Sequence, residues 1–375
     1  MKTTTDPIGL YVHIPFCVKK CAYCDFCSFS ISEINDKNRY IDALCAEIFL
    51  YRDRGIKIDS IFFGGGTPSL LSGAEFKRIT KAIEDSFEII PGAEFTVECN
   101  PKTLIRENLE DYIRCGVNRI SIGLQSIHEN ELKKLGRIHS FEDFLSTYRM
   151  IRESGIKNVS VDLMYGIPEQ NAKSFEETLD AVCALSVEHI SVYGLIVEEG
   201  TYLADHLSDY LLPNEDCECD MYSLACNRLE KAGYSHYEIS NYAKPGFRCK
   251  HNLKYWNDEE YIGVGVSAYS YYDSSRFGNS RDYKMYVSDF SSCRLTDEII
   301  DNESERYEFA MLSLRLSDGF SLEEYENRFG CDFLSGKEKI VKKLSESGLL
   351  RISQGRLMLT EKGFYVSNSI LGELL

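Results

Sequence analysis

Four cysteines lie within eleven residues of one another in the segment CVKKCAYCDFC, which runs from Cys17 to Cys27. Cys17, Cys21 and Cys24 form the pattern C-x3-C-x2-C. Zinc ribbons normally present two C-x2-C pairs separated by a longer insert, and no such separated pair follows here. A cubane iron-sulfur cluster takes four ligands, so three cysteines leave one iron open. The spacing therefore favours a 4Fe-4S cluster with a position for chemistry over structural zinc or inert thiols.

A glycine-rich segment, FFGGGTPS, carries Gly64, Gly65, Gly66 and Thr67 directly after an apolar run. Glycines allow backbone N–H and C=O groups to approach a ligand closely. By itself the triplet is equally typical of a tight turn between a strand and a helix. Because it follows the cysteines by one predicted βα unit, we interpret it as a loop that binds the carboxylate or amino group of a small ligand.

Short apolar runs alternate with amphipathic stretches over residues 9–197. The apolar runs predict six strands: Leu10–Ile14, Ser60–Phe63, Phe95–Glu98, Arg119–Gly123, Val159–Met164 and His189–Leu195. Apolar residues three and four apart predict helices between them: Asn38–Tyr51, Ala74–Phe87, Leu109–Cys115, Phe141–Glu153 and Ser174–Leu185. Six βα units predict an α/β fold with a parallel sheet, in which ligands bind beyond the carboxyl ends of the strands.

The alternation ends after about residue 200, and three segments are predicted. Residues 1–205 form the βα core, and residues 206–300 form an α+β extension in which YIGVGVSAYSYY supplies strands and turns beside the core. Residues 301–375 contain helices followed by a hairpin around Gln354 and a final helix. That order predicts a small winged-helix-like domain, for which we expect a packing role rather than DNA contact.

The composition is that of a folded globular protein. The chain has 375 residues, of which 43% are hydrophobic and 27% charged. Its net charge of −17 argues against an extended surface for nucleic acid or anionic lipid. No segment resembles a signal peptide or a membrane span, so we expect a cytoplasmic protein. In that compartment the 14 cysteines are thiols or metal ligands rather than disulfides.

The cysteine pattern, placed at the end of the first predicted strand, resembles that of the radical SAM superfamily. Further segments resemble, in order and spacing, the family of the oxygen-independent coproporphyrinogen III oxidase HemN and its relative, the heme chaperone HemW: YVHIPFC, GGGTPS, ECNP, RISIGLQS, GRIH, VDLMYGIPEQ and ISVY. The resemblance covers nearly the whole chain. It implies a partial (βα)6 radical SAM barrel with the cluster and S-adenosyl-L-methionine (SAM) at its carboxyl-terminal mouth.

The resemblance implies a role for each matching residue. Cys17, Cys21 and Cys24 are the implied cluster ligands, SAM chelates the fourth iron through its amino and carboxylate groups, and Cys27 is a bystander. The implied SAM contacts are Tyr11, Tyr23, Gly65, Gly66, Thr67, Glu98, Gln125, Arg137 and Asp162. Carboxylates suit amino and hydroxyl groups, amides donate and accept, and a guanidinium pairs with a carboxylate. Any one of these polar residues alone is more typical of a solvated surface, but together they follow successive strands.

The segment HNLKYW, residues 251–256, resembles the H-N-x-x-Y-W signature of the HemW branch. Neutral His251 could bind heme iron, and Tyr255 and Trp256 offer flat apolar faces to a porphyrin. From the residues alone, a packed aromatic turn with a hydrogen-bonded histidine is the more common arrangement. The resemblance reverses that preference and makes these three residues the predicted heme site.

Neighbouring residues bear on the heme site and on the choice of branch. Arg248 or Lys250 could pair with heme propionates, and Cys249 is a second candidate ligand for the iron. HemN carries an N-terminal extension and a fourth cysteine in C-x2-C-x-C, whereas here eight residues precede Gly9 and the position of that cysteine is occupied by Phe26. We therefore expect a member of the HemW branch.

The function implied by the resemblance is that of a heme chaperone. It binds a 4Fe-4S cluster, SAM and heme, and it passes heme to acceptor hemoproteins, which in this family include membrane respiratory proteins. An electron donor such as flavodoxin or ferredoxin is expected, and a nucleic-acid partner is not. The alternative is an oxygen-independent coproporphyrinogen III dehydrogenase, which decarboxylates propionates after hydrogen abstraction by a 5'-deoxyadenosyl radical. A third hypothesis, an interaction or DNA-binding protein, requires no iron.

Overall fold

Six parallel strands form the centre of one sheet in the computed structural model, which describes residues 6–34, 36–296 and 298–375. The strands are β1 Ile8–Ile14, β2 Lys57–Gly65, β3 Glu88–Cys99, β4 Arg119–Gln125, β5 Asn158–Tyr165 and β6 His189–Gly194. They pair in chain order from β1 to β6. Most of their residues are buried, as in parallel sheets that are covered on both faces. The predicted α/β class and all six strands are confirmed.

Helices connect the successive strands: α1 Lys37–Ile48, α2 Gly73–Glu84, α3 Arg106–Arg114, α4 Glu129–Lys134, α5 Phe141–Glu153 and α6 Ala172–Ala184. α2, α5 and α6 each begin with a capping box, which fixes where the helix starts. Phe76 of α2 packs against Phe63 of β2 and Phe95 of β3, so the apolar face of this helix covers the sheet. α3 starts at Arg106, before the predicted Leu109. The prediction missed its first residues because they are polar and carry no apolar periodicity.

Residues after β6 extend the same sheet at both of its edges. Their elements are α7 Tyr202–Asp205, α8 Glu215–Lys231, β7 Ser235–Glu238, β8 Asn241–Ala243, α9 Lys250–Trp256, β9 Tyr261–Val264, β10 Tyr269–Tyr272, β11 Ser275–Gly278, α10 Tyr283–Ser288 and β12 Glu298–Ile299. β8 pairs antiparallel with β6, and β9 pairs parallel with β1. The strand order is β12-β11-β10-β9-β1-β2-β3-β4-β5-β6-β8-β7. Since its two ends do not pair with each other, the sheet is a partial barrel.

The C-terminal segment forms a second, three-stranded sheet with its own helices. Its elements are α11 Asn302–Ser313, β13 Phe320–Ser321, α12 Leu322–Phe329, α13 Glu338–Glu346, β14 Leu350–Ser353, β15 Arg356–Leu359, α14 Glu361–Tyr365 and α15 Ser367–Leu374. The strand order is β13-β15-β14. As predicted for residues 301–375, helices α11, α12 and α13 precede the hairpin formed by β14 and β15. In the part of the chain that is described, no helix combines the length and the apolar character of a membrane span.

Buried Glu47 connects α1 to the segments that follow β9. Its carboxylate accepts hydrogen bonds from the Gly265 N–H at 2.8 Å, the Asn279 side-chain amide at 2.7 Å and the Tyr286 hydroxyl at 2.6 Å. Burial raises the pKa of Glu47, and the three donors oppose that rise. One side chain thus satisfies three buried donors, which follow β9, follow β11 and lie on α10.

We predict that Glu47→Ala lowers the free energy of unfolding by about 2–4 kcal/mol, because the buried donors lose their acceptor. Urea denaturation of the two proteins measures the change. The control is Glu142→Ala on α5, whose side chain is 75% exposed and which should cost less than about 0.5 kcal/mol. Similar losses in the two variants would contradict the role assigned to Glu47.

Candidate functional site

The cysteines lie on the loop that leaves the carboxyl end of β1. The loop is held at both ends, since the strand pair Phe16–Cys17 and Phe29–Ser30 runs parallel and the Phe29 N–H donates to the Pro15 carbonyl at 2.7 Å. Cys17 is buried and the other two thiols of the motif are half-buried. All three line one cavity of about 440 Å³. Within the described residues, no three His, Cys, Asp or Glu side chains are placed for a single metal ion.

The same cavity collects most of the side chains assigned to SAM by the resemblance. It is lined by Tyr23, Gly65, Gly66, Thr67, Glu98, Gln125, Arg137 and Asp162. Tyr11 is the exception among the predicted SAM contacts, because it lines a neighbouring cavity instead. Residues separated by more than 140 positions in the sequence therefore meet at the carboxyl edge of the sheet.

The glycine loop after β2 packs closely on the end of β1. A Cβ atom at Gly66 would lie 2.7 Å from the Phe16 carbonyl oxygen, and the Gly66 N–H donates to the Ile14 carbonyl at 2.8 Å. Gly65 has φ of +107°, and a Cβ there would meet the His13 ring at 2.6 Å. The absence of side chains lets this loop reach the cysteine loop, where the Thr67 hydroxyl donates to the Cys17 sulfur at 3.6 Å.

Arg137 joins the cysteine loop to the sheet. Its Nη1 donates to the Cys21 sulfur at 3.5 Å, and its Nη2 donates to the Asn100 side-chain oxygen at 2.5 Å and the Gly123 carbonyl at 2.7 Å. Burial raises the pKa of the Cys17 thiol, while the Arg137 charge lowers it. Burial likewise raises the pKa of the Cys24 thiol, so bound iron must displace protons from these thiols.

Two enclosed carboxyl groups give the cavity a preference for positive charge. Glu98 accepts from the Gly65 N–H at 3.2 Å, and Asp162 accepts from the Ser121 hydroxyl at 3.1 Å. Burial and then the charge of Asp162 raise the pKa of Glu98 to about 8, and burial raises the pKa of Asp162. A cationic ligand beside them would favour their ionised forms. The sulfonium and ammonium groups of SAM have this property.

Gln125 supplies an acceptor without a protein partner. It lies at a register irregularity between β4 and β5 and has φ of +65°. Its side chain is buried, and its Oε1 has no hydrogen-bond partner. A buried acceptor of this kind is costly unless a ligand fills it. Together with the thiols and carboxyl groups, it makes the residues of this cavity fit a cluster with SAM.

A second cavity of about 450 Å³ occupies the interior of the partial barrel. It shares a wall with the first cavity, formed by Asp25, Phe26, Gly65, Glu98, Ser121, Asp162 and Tyr193. We call it the lumen cavity. Its other lining side chains include Tyr11, Phe62, Arg119, His251 and Tyr255.

Helix α9 forms the floor of the lumen cavity at the amino ends of the strands. His251, Asn252 and Tyr255 face the cavity. The His251 ring lies against Gly9, and its Nδ1 is 3.0 Å from the Ser60 hydroxyl. Its Nε2 is 2.9 Å from the Tyr255 hydroxyl. Burial lowers the pKa of His251 to about 3, so its imidazole is neutral and suited to bind a metal.

Other residues of the predicted heme site lie elsewhere. Trp256 contacts Glu238, and its ring centroid is 5.8 Å from the Arg315 guanidinium, on the side of the C-terminal domain. Arg248 pairs with Asp318 at 3.5 Å. The structure therefore brings His251 and Tyr255 to the lumen cavity but not Trp256, whose contact with a porphyrin stays a prediction.

The two remaining candidate thiols differ from the motif cysteines. Cys249 is fully buried and donates to Glu94 Oε1 at 3.4 Å, and burial raises its pKa to about 12. Cys27 donates to the Arg281 carbonyl at 3.6 Å and lines the lumen cavity rather than the cavity of the other three cysteines.

Three residues of these cavities were not singled out from the sequence. Asn100 connects Thr67 and Arg137 through hydrogen bonds. Its position directly after β3, in the segment ECNP, is a signal that could have identified it. Arg119 could have been identified from its charge, because it begins the otherwise apolar strand β4. Tyr193, in the wall between the cavities, carries no sequence signal beyond the predicted strand β6.

Comparison with known proteins agrees with this geometry. Residues 11–182 match the Radical SAM superfamily, and residues 300–366 match the HemN C-terminal domain. The heme chaperone HemW of Lactococcus lactis is 33% identical over 98% of this chain and 97% of that protein. The HemW of Bacillus subtilis is 34% identical over 97% and 98%, and that of Escherichia coli is 38% identical over 70% of each chain.

A solved structure resembles the whole chain. The coproporphyrinogen III oxidase HemN from Escherichia coli, a radical SAM enzyme, superposes with a TM-score of 0.86 over 98% of this chain and 89% of that one. Sequence identity is 23%, so this likeness concerns the fold. It confirms the partial barrel with a C-terminal domain.

The partial barrel, its C-x3-C-x2-C loop and the match over residues 11–182 define a radical SAM protein, a class that uses a 4Fe-4S cluster and SAM. Within that superfamily, the near full-length relatives show that the chain belongs to the HemW family.

We predict that Cys24→Ser abolishes cluster binding whereas Cys27→Ser retains it, because only Cys24 lines the cavity of the other two motif thiols. Iron and sulfide content after anaerobic reconstitution measures the outcome. The two substitutions are chemically identical and three residues apart, so each controls for the other. Equal loss of iron in both variants would assign Cys27 to the cluster.

Glu98 is predicted to make apoprotein stability depend on pH. Its pKa rises from an ordinary value of 4.5 to about 8 on folding, so the folded chain holds this proton more tightly. Its contribution to the free energy of unfolding is therefore complete below pH 4.5 and is lost as the pH rises towards 8. Urea denaturation at several pH values should show a smaller decline for Glu98→Gln than for the unsubstituted protein. The profile of Glu142→Gln, at an exposed site, should not change.

Proposed function

We propose that this protein is a heme chaperone, which holds a 4Fe-4S cluster, SAM and heme and delivers heme to acceptor hemoproteins. The observation that carries the proposal is the likeness, over nearly the whole chain, to proteins named heme chaperone HemW. The orientation of HNLKYW supports it, because three residues of this segment, His251, Asn252 and Tyr255, face the lumen cavity.

In the proposed function, Cys17, Cys21 and Cys24 bind three irons of the cluster and SAM binds the fourth. When bound, the cluster supplies a one-electron reductant and a coordination site for SAM. Arg137 lies beside Cys21, where its charge favours a carboxylate or a thiolate. The enclosed carboxyl group of Glu98 balances positive charge on the ligand, and Gln125 accepts a hydrogen bond from it.

His251 is the proposed heme ligand. Its imidazole is neutral and borders the lumen cavity, and its Nε2 becomes available if the hydrogen bond to Tyr255 is exchanged for iron. The rings of Tyr11 and Phe62 supply apolar surface on the walls of the same cavity. Cys249 is less suited, because its thiol holds its proton and points to Glu94.

The proposed partners follow from this role. Heme acceptors receive the ligand, and membrane respiratory hemoproteins are the acceptors that we propose. A one-electron donor such as flavodoxin or ferredoxin reduces the cluster. We propose that the protein binds and delivers heme in the cytoplasm, where the thiols of the motif stay reduced.

The test is an anaerobic titration of the reconstituted protein with heme, followed through the Soret band. We expect a saturable shift of the band, a loss of most of that shift in His251→Ala, and an unchanged titration in Cys249→Ser. The two residues lie on the same helix end, so Cys249→Ser controls for disturbance of α9. Absence of any Soret shift in the unsubstituted protein would refute the proposed function.

The same sample distinguishes the alternative enzyme. Incubation with coproporphyrinogen III, SAM and a reductant should give no protoporphyrinogen IX. Formation of that product at a catalytic rate would favour the dehydrogenase, whatever the result of the heme titration.

A further inference from the structure

Arg119 is a charged residue in the interior of the partial barrel. It is the first residue of β4, is only 2% exposed, and lines the lumen cavity together with His251 and Tyr255. It is among the largest fully buried side chains of the protein. Arginine at such a site is unusual because a buried charge is costly unless its hydrogen bonds are filled.

The guanidinium of Arg119 has few of these bonds. Its Nη1 lies 3.5 Å from the Thr96 hydroxyl, and its buried Nε has no hydrogen-bond partner. Five N–H groups are available on this side chain. The described structure therefore leaves most of its donor capacity unused, on the boundary of a cavity.

Acidic groups near Arg119 balance its charge without filling its donors. Burial lowers the pKa of its guanidinium, but neighbouring acidic groups, Cys249 and Glu94 first and then Tyr237 and Asp162, raise that pKa above its ordinary value, so the side chain stays protonated. Both carboxylates already have other donors. Glu94 accepts from the N–H groups of Lys250 and His251 at 3.2 Å each, and Asp162 accepts from Ser121 at 3.1 Å.

The surroundings of Arg119 indicate a carboxylate on an apolar body. The walls of the lumen cavity carry the rings of Tyr11, Phe62 and Tyr255, and neutral His251 borders the floor. The carboxyl groups of Glu98 and Asp162 lie in the wall shared with the other cavity, and the second arginine of the lining, Arg281, already pairs with Asp25. A guanidinium pairs with a carboxylate through two parallel hydrogen bonds, and such pairs are stronger where water is excluded. A flat aromatic molecule with an acidic side chain would pack its ring system against the aromatic walls and place its carboxylate on Arg119.

We propose that Arg119 is a carboxylate-binding residue at the floor of the lumen cavity. The inference rests on the proposed function, in which the carboxylate that Arg119 binds is a propionate of heme. SAM also carries a carboxylate, but Arg137, the arginine among its predicted contacts, lines the other cavity, as do all of those contacts except Tyr11. Arg119 therefore holds the heme side chain, while His251 holds the iron.

The experiment compares heme with its dimethyl ester, in which both propionates are uncharged. Each is titrated anaerobically into the reconstituted protein, into Arg119→Gln and into Arg119→Lys. We expect the unsubstituted protein to bind heme about 10- to 100-fold more tightly than the ester. Arg119→Gln should lose this preference through weaker binding of heme, with little change for the ester. Arg119→Lys should retain part of it, because the charge remains without the planar fork.

Matched measurements separate this role from a structural one. Arg149→Gln, at an exposed arginine of α5 that pairs with Glu142 at 3.2 Å, should keep the full preference for heme. Melting temperatures monitor folding, since Arg119→Gln leaves Glu94 and Asp162 without their nearby charge. If that variant does not fold, the unsubstituted protein and Arg119→Lys decide the question.

The outcomes distinguish this inference from the proposed function. No binding of heme by the unsubstituted protein overturns the proposed function. Equal binding of heme and ester by that protein, or full preference for heme in a folded Arg119→Gln, overturns the carboxylate site and leaves the chaperone role intact. A loss of SAM affinity in Arg119→Gln, measured by equilibrium dialysis, would assign Arg119 to the SAM carboxylate and also overturn the inference.

Discussion

The carboxylate of Glu94 is the contact on which the interior of this protein depends. It projects from β3 into the barrel and accepts hydrogen bonds from the first N–H groups of α9 and from the Cys249 thiol. A carboxylate at the amino end of a helix satisfies donors that have no partner within the helix. This contact holds the short helix across the amino ends of the strands. Without such a floor, the barrel would be open to solvent at both ends.

The orientation of α9 divides the signature segment between two environments. His251, Asn252 and Tyr255 face the lumen, whereas Trp256 turns towards the C-terminal domain. Because the lumen cavity and the cysteine cavity share a wall, a ligand of one cavity contacts the same carboxyl groups as a ligand of the other. Charge that enters either cavity therefore changes the protonation of Glu98, which provides a physical link between two bound cofactors.

The sequence predicted the α/β class, the six parallel strands and the position of the three motif cysteines after the first of them. These features depend on local signals, namely apolar periodicity, cysteine spacing and the positions of residues after strands. Long-range pairing could not be predicted. The segment YIGVGVSAYSYY was expected beside the core, yet its first part pairs with β1 as a parallel strand of the same sheet. Likewise, nothing local indicates that Trp256 faces away from His251. The segment HNLKYW was also compatible with a turn, and only the helix observed over Lys250–Trp256 fixes the direction of each side chain.

The pairing of β9 with β1 also bears on how the chain folds during its synthesis. β1 carries the cysteine loop at its end, and one of its two neighbours is formed by residues 261–264. A ribosome must therefore synthesise more than two thirds of the chain before β1 stops being an edge strand. Until then an apolar strand has an unpaired side, which is prone to pair with other chains. The nascent protein thus passes through an interval in which the strand that carries its cysteine loop is anchored on one side only.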